Sequence, residues 1–202
     1  MFIKLFEDNP NRRDIQKVVD ILRDGGVIIY PTDTVYAIGC DINSVKAVQR
    51  VAQLKGVKPE KASFSMICFD LSNIAAYAKV SNDVFKVMKR NLPGPFTFIL
   101  PATNKLPNVL MNRRKTIGIR IPDNYIVHAI VEELGNPLLT TSLHDDDDVV
   151  EYMTDPELIN EKYEKLVDMV IDGGFGSNVA STIVDCTGEE VEIVRQGIGV
   201  VE

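Results

Sequence analysis

The sequence predicts an α/β fold with a mixed sheet. Three observations carry that expectation. Segments with apolar residues at i, i+3, i+4 and i+7 alternate with short apolar runs of strand length. Glycine or proline closes most of these segments. Near the end, two short apolar runs flank Thr187-Gly188-Glu189, a hairpin signature that adds antiparallel pairing to the sheet.

The elements follow in order. Asn9 and Pro10 suit an N-cap and a first helical position, and Ile15, Val18, Val19 and Leu22 then keep helical spacing up to Gly25 at C′. Residues 27–30, V-I-I-Y, read as a buried strand stopped by Pro31, followed by Thr32-Asp33-Thr34 and a second apolar run closed by Gly39. Residues 44–54 form a helix with Val45, Val48 and Ala52 on one face. Lys55, Lys58 and Lys61 follow in a proline-containing loop. A strand is expected at 64–68, a short helix capped by Asp70 through Ala78, and a helix capped by Ser81. N-L-P-G-P at 91–95 is turn chemistry feeding a strand at 96–100. T-I-G-I-R-I at 116–121 is a strand stopped by Pro122, and 124–134 a helix closed by Gly135. A short strand at 137–141 leads through Ser142, Leu143 and His144 into an acidic run at 145–148. Asp155 and Pro156 open a helix to about Leu166, a strand follows at 167–171, and the hairpin pairs 182–186 with 191–195. No repeat or linker interrupts the series, so residues 1–202 are expected to form one domain.

Composition narrows the class. The chain has 202 residues, 45% hydrophobic and 25% charged, ordinary for a soluble globular protein. The net charge of −7 argues against indiscriminate coating of nucleic acid, though not against a local basic cavity. Cys40, Cys68 and Cys186, odd in number and each in an apolar segment, suit buried reduced thiols in the cytoplasm. No Cys/His cluster points to zinc, the start is too short an apolar run for a signal peptide, and nothing approaches a membrane span.

Candidate chemistry is dispersed over strand ends, where open α/β sheets place ligands. Thr32, the lysines, Thr116 with Arg120, Thr140 with Ser142, Ser181 and Arg195 supply hydroxyls and cations. Such a mixture suits a nucleotide together with a carboxylate-bearing substrate, because lysine acts as a point charge and arginine as a fork. Locally, blander readings stand beside these. Thr32, Asp33 and Thr34 fit a turn, the lysines a solvated loop, and G-G-F-G at 173–176 a flexible loop. The acidic run is either a solvated loop or a divalent-cation loop, without the spaced ligands of a dedicated site. His144 is a base, a phosphate donor or a surface histidine, and His128 shows no evident partner. There is no Walker loop and no G-x-S-x-G elbow around Ser142.

Six ordered motifs then carry a resemblance: P-T-D-T-V-Y-A-I-G, N-L-P-G-P-F-T-F-I-L, T-I-G-I-R-I-P, T-T-S-L, S-T-I-V-D and I-V-R-Q-G. From about Leu22 to Gly197 the chain resembles YrdC-like proteins. The resemblance implies a twisted sheet with flanking helices around a deep, positively lined cavity. It also implies synthesis of threonylcarbamoyl-AMP from threonine, bicarbonate and ATP, with Mg²⁺ accompanying the nucleotide, for modification of tRNA. Thr32, Arg120, Thr140 and Ser181 resemble threonine-binding positions, and Lys55, Lys61, Thr116, Ser142 and Arg195 ATP-binding positions. Lys55, Arg120 and Ser142 are the expected catalytic members, and no residue is implied as a resident metal ligand. Other family members are described as binders of double-stranded RNA, so tRNA or duplex RNA is the implied alternative partner.

Four departures set the chain apart from the synthases. Val57 stands where the basic loop carries arginine, and Ser142-Leu143-His144 stands for Ser-x-Asn. No histidine occurs at 64–68, and the acidic run replaces a serine. With A-I-G-C and K-T-I-G-I-R, these make the sequence similar to the YciO branch. One lost charged phosphate contact corresponds to about 2–4 kcal/mol of transition-state stabilisation, which implies weaker synthase activity.

Overall fold

The computed structural model describes residues 1–62, 64–144 and 152–202. The elements are β1 (Phe2–Lys4), α1 (Arg12–Arg23), β2 (Val27–Tyr30), β3 (Ala37–Asp41), α2 (Val45–Leu54), β4 (Ser65–Ile67) and α3 (Asn82–Asn91). They continue with β5 (Phe96–Pro101), β6 (Thr116–Arg120), α4 (Tyr125–Leu134), β7 (Leu138–Ser142), α5 (Pro156–Tyr163), β8 (Met169–Asp172), β9 (Thr182–Asp185) and β10 (Glu192–Arg195). Among the described residues the strands form one mixed sheet in the order β1-β8-β2-β3-β7-β4-β6-β5-β9-β10. β1 and β2 flank β8 in parallel, β4–β6 and β5–β9 are also parallel, and the remaining pairs are antiparallel.

The continuous apolar run V-I-I-Y follows from cover on both faces. Along β2, Val27 and Ile29 pack with Ala47, Val48, Val51 and Ala52 of α2, while Ile28 and Tyr30 point the other way. On that opposite side α1 contributes Ile15, Val18, Val19 and Leu22, and α4 contributes Ile126, Val127, Ile130 and Val131. The caps are conventional: Ser44, Ser81, Asn124 and Asp155 each accept a backbone N–H of the first turn. Gly25 and Gly135 take left-handed conformations after α1 and at the end of α4.

Several expectations are corrected. The first helix begins at Arg12 with Asn11 as cap, not at Asn9-Pro10, because the Asn11 side chain reaches the Arg13 N–H at 2.9 Å. Asp70 bonds Ser72, and only a 3₁₀ turn forms at Ile74–Ala76. Val45 is 53% exposed and does not share the buried face of α2. Gly39 lies inside β3 and does not close the run. The strand was hidden by its small residues and by the turn preceding it. β1 was also missed, its three residues being too few to show a period. His128 has partners: its ring nitrogen lies 3.0 Å from the Pro122 carbonyl, and its ring meets Phe69 edge-on. G-G-F-G is tied down, because the Tyr36 hydroxyl donates to the Gly174 carbonyl (2.7 Å) and accepts from the Gly173 N–H (3.1 Å). The acidic run at 145–148 lies outside the described residues. Cys40, Cys68 and Cys186 are buried free thiols.

Candidate functional site

A row of small and hydroxylated residues crosses the sheet in register. Gly39 lies opposite Thr140, Thr140 opposite Ser65, and Ser65 opposite Gly118. Along the next strands Thr97 lies opposite Ile183, which lies opposite Arg195. Strand side chains alternate between faces, so Thr97 projects away from the core that Phe96 and Phe98 enter. A methyl group at Gly118 would collide with the Ser65 hydroxyl, and the missing side chain keeps the row open.

Over this row sits a pit of about 120 Å³. Thr34, Ser65, Thr97, Thr140, Thr141, Ser142 and Ser181 line it, with Val35, Ala180 and Ile183 as apolar wall and Arg120 and Arg195 as cations. Ser65, Thr97 and Ile183 also line a larger cleft of about 730 Å³, so the pit adjoins the cleft. The cleft falls within the size range of small-molecule sites, and the pit lies beside it.

Arg120 is the electrostatic centre of the pit. Its side chain is 7% exposed, and Nη2 donates to Asp33 Oδ1 (2.9 Å) and to the Thr34 hydroxyl (3.1 Å). Asp33, 8% exposed, also accepts the Asp123 N–H at 3.0 Å. Burial holds the Asp33 carboxyl above its usual range despite the neighbouring guanidinium. Burial likewise pulls the Arg120 guanidinium down, with Asp33 opposing and Arg195 adding to the effect. Both partners move toward their neutral forms, so desolvation outweighs pairing. Arg120 Nε is buried and has no hydrogen-bond partner. Such an orphan calls for an acceptor, and a ligand carboxylate is one that suits a guanidinium.

The surrounding hydroxyls are fixed by the protein. Tyr30, fully buried with its phenol raised by desolvation, donates to the Thr140 hydroxyl at 2.7 Å. Thr97 and Ser181 share a 2.8 Å hydrogen bond, and Arg195 Nη2 donates to the Ser181 carbonyl at 2.8 Å.

The structure therefore brings Arg120, Thr140, Ser142, Ser181 and Arg195 to one pit and places Lys61 and Thr116 on the adjoining cleft. Thr32 is not on the pit wall. Its hydroxyl donates to the Val35 carbonyl (2.7 Å), accepts the Thr34 N–H (3.0 Å) and lies 3.1 Å from the Thr34 hydroxyl, and the residue lines another open cleft, of about 500 Å³, which shares Thr34 with the pit. Thr34 takes the wall position instead. Lys55 lines neither cavity. Its half-buried ammonium donates to the Ser142 carbonyl at 2.9 Å, and burial lowers its pKa. Sequence reasoning missed Thr97, Ser65 and the Asp33–Arg120 pair, along with the basic turn Arg113-Arg114-Lys115 on the cleft. Two of these had a signal: Thr97 alternates with core phenylalanines, and three consecutive cations abut the strand that starts at Thr116.

A hydroxyl-lined pit with a buried arginine, set on the face of a mixed sheet beside a basic cleft, marks the class: an α/β protein with a polar, cationic cavity. The family model described as "Telomere recombination", that of Sua5, YciO and YrdC, matches residues 20–197, and the chain belongs to this family. It is 42% identical over 200 residues to the uncharacterised protein YciO of Escherichia coli strain K12, covering 98% of this chain and 96% of that one. The crystal structure of E. coli YciO superposes with a TM-score of 0.92 at 41% identity, covering 99% and 97%. A threonylcarbamoyl-AMP synthase of Halorhodospira halophila is 33% identical over 122 residues, 60% of this chain and 63% of that protein. The fold also matches Pyrococcus abyssi Sua5 complexed with L-threonine, with a TM-score of 0.87 at 24% identity, over 98% of this chain and 57% of that one. Among the described residues, no helix is long and apolar enough to cross a membrane, and no group of three or more His, Cys, Asp or Glu is placed to hold a metal ion.

Proposed function

We propose that this chain forms threonylcarbamoyl-AMP from threonine, bicarbonate and ATP, with the amino acid in the pit and the nucleotide in the cleft. The observation that carries this reading is the buried, unpartnered Arg120 Nε in a pit lined by hydroxyls. A threonine carboxylate supplies the missing acceptor, its hydroxyl joins the Thr140, Thr97 and Ser181 set, and its methyl meets Val35 or Ala180. The threonine amine adds to bicarbonate with loss of water. The resulting carbamate oxygen attacks the α-phosphorus, and the bond to the β-phosphate breaks to release pyrophosphate. No protein nucleophile is required. The protein supplies proximity and fixed cations, Arg195 and Lys61 among them, against developing charge. Mg²⁺ would arrive with the phosphates and neutralise their charge. Asp185, the carboxylate on the cleft wall, fits the one or two protein ligands such an ion needs.

The kinship with the H. halophila synthase and the threonine complex of P. abyssi Sua5 support the reading. RNA binding, the competing reading, has the cleft's cations in its favour and the net charge of −7 against it. The deciding assay is pyrophosphate release from ATP with and without threonine and bicarbonate. Release that requires both, and that Arg120→Ala lowers by about a hundredfold, is the expected result for a lost transition-state contact. Release no greater than in a no-threonine control would sink it.

A further inference from the structure

The outer cleft concentrates positive charge on a molecule that is otherwise acidic. Lys61, Arg113, Arg114 and Lys115 line it, and among the described residues Asp185 is the one carboxylate beside them. Among the described residues, none of the four cations is paired with a carboxylate. Of the three lysines that follow α2, only Lys61 reaches this cleft.

The turn carrying the other three cations is braced. The Asn112 amide nitrogen donates to the Thr116 carbonyl (2.9 Å) and hydroxyl (3.2 Å), while its oxygen accepts the Thr116 N–H (3.1 Å). The Lys115 N–H returns to the Asn112 carbonyl at 3.0 Å, and the Lys115 carbonyl accepts the Ala102 N–H at 2.8 Å. Lys115 has φ +54°, a left-handed conformation that non-glycine residues hold only where surrounding bonds impose it. Three adjacent cations are thus presented on a backbone that does not have to order itself when a ligand arrives.

We propose that the Arg113-Arg114-Lys115 turn, together with Lys61, is the clamp for the polyphosphate tail of a nucleoside triphosphate. This rests on the synthase reading for the nucleotide's identity and adds the group that grips its phosphates. A compact tail of adjacent negative charges matches adjacent unpaired cations, with arginine forks taking phosphate oxygens in pairs. An RNA strand fits less well. Among the described residues the cleft's one aromatic, Phe64, is 6% exposed and offers no platform for stacking bases, and the net charge of −7 repels a long polyanion. Asp185 does not cancel the clamp, because one carboxylate stands beside four cations and its Oδ1 is already turned to the Thr187 N–H (2.9 Å) and hydroxyl (2.7 Å).

The test is calorimetric titration of the full chain with ATP, ADP and AMP in Mg²⁺, comparing wild type with Arg113→Ala/Arg114→Ala. Both arginines are exposed, so the substitutions leave the core intact. The expected result is ATP affinity weakened by about tenfold or more, a smaller loss for ADP and almost none for AMP. The salt dependence of ATP binding flattens as well. Lys89→Ala/Arg90→Ala, which removes equal charge from the exposed end of α3, leaves affinity unchanged. ATP affinity within about twofold of wild type, equal losses for AMP, loss of duplex RNA binding alone, or no ATP binding by wild type would each overturn the clamp. The synthase reading is separable. Clamp-dependent ATP binding without threonine-dependent pyrophosphate release sinks the synthase and keeps the clamp. Release with an unchanged KM for ATP in the double variant keeps the synthase and sinks the clamp.

Discussion

Arg120 and Asp33 are neighbours in space and 87 residues apart in the chain. Each was visible as a residue type and neither as a partner. A buried pair of this kind is costly to break from one side, since the remaining charge is left without compensation. Asp33→Ala is therefore expected to lower stability by about 3–5 kcal/mol in urea unfolding, and Asp33→Ala with Arg120→Met to recover much of the loss. The pair also gives stability a pH dependence of defined sign. Asp33 binds its proton more tightly in the folded chain than in the unfolded one. Its contribution is complete below the ordinary aspartate pKa and declines as pH rises through the raised folded value. Comparing urea midpoints of wild type and Asp33→Asn across that window isolates the effect. A difference that grows in favour of wild type as pH rises would contradict the assignment.

At the level of elements, the pit depends on how closely β3 approaches β7. Gly39 makes that approach possible, because a Cβ there would run into the Leu139 carbonyl oxygen and crowd the Tyr30 hydroxyl at 3.0 Å. Gly39→Ala should cost roughly 3 kcal/mol or more and loosen Thr140, whose hydroxyl Tyr30 holds. Thermal melting with threonine titration checks it; a variant as stable as wild type, with unchanged threonine affinity, would show that the strands can separate freely. The same element shows why local signals misled. The sequence displayed a glycine at the end of an apolar run, where a turn is the ordinary expectation. Only the facing strand reveals a position chosen for close packing. Caps read unevenly: Ser81 and Asp155 were legible because a cap is an interaction between residues two or three apart, while Asn9 gave way to Asn11 and Asp70 capped no α-helix.

For the whole molecule, sheet order predicts how stability is distributed. β2, β3 and β7 lie inside the sheet with their apolar side chains buried, whereas β10 is an edge whose four residues are all exposed. Hydrogen exchange should be slowest at Ile28, Ile29, Ile38 and Leu139 and fast along β10, where Arg195 enters the site. Protection of β10 equal to that of β2 would refute this gradient. Since Arg195 closes the pit from a marginal edge, a ligand contacting it should slow exchange at residues 192–195 more than elsewhere. The sequence by itself determined the alternation of helices and strands, the terminal hairpin, the caps at Ser81 and Asp155, and the motifs that mark the family. These depend on periodicity and near-neighbour chemistry. Tertiary structure alone decided the strand order, the presence of Thr34 on the pit wall, the pairing of Arg120 with Asp33, and the placing of the pit beside the basic cleft. Each of these is a register between segments distant in the chain, set by the burial of both sheet faces at once, and no local pattern encodes it.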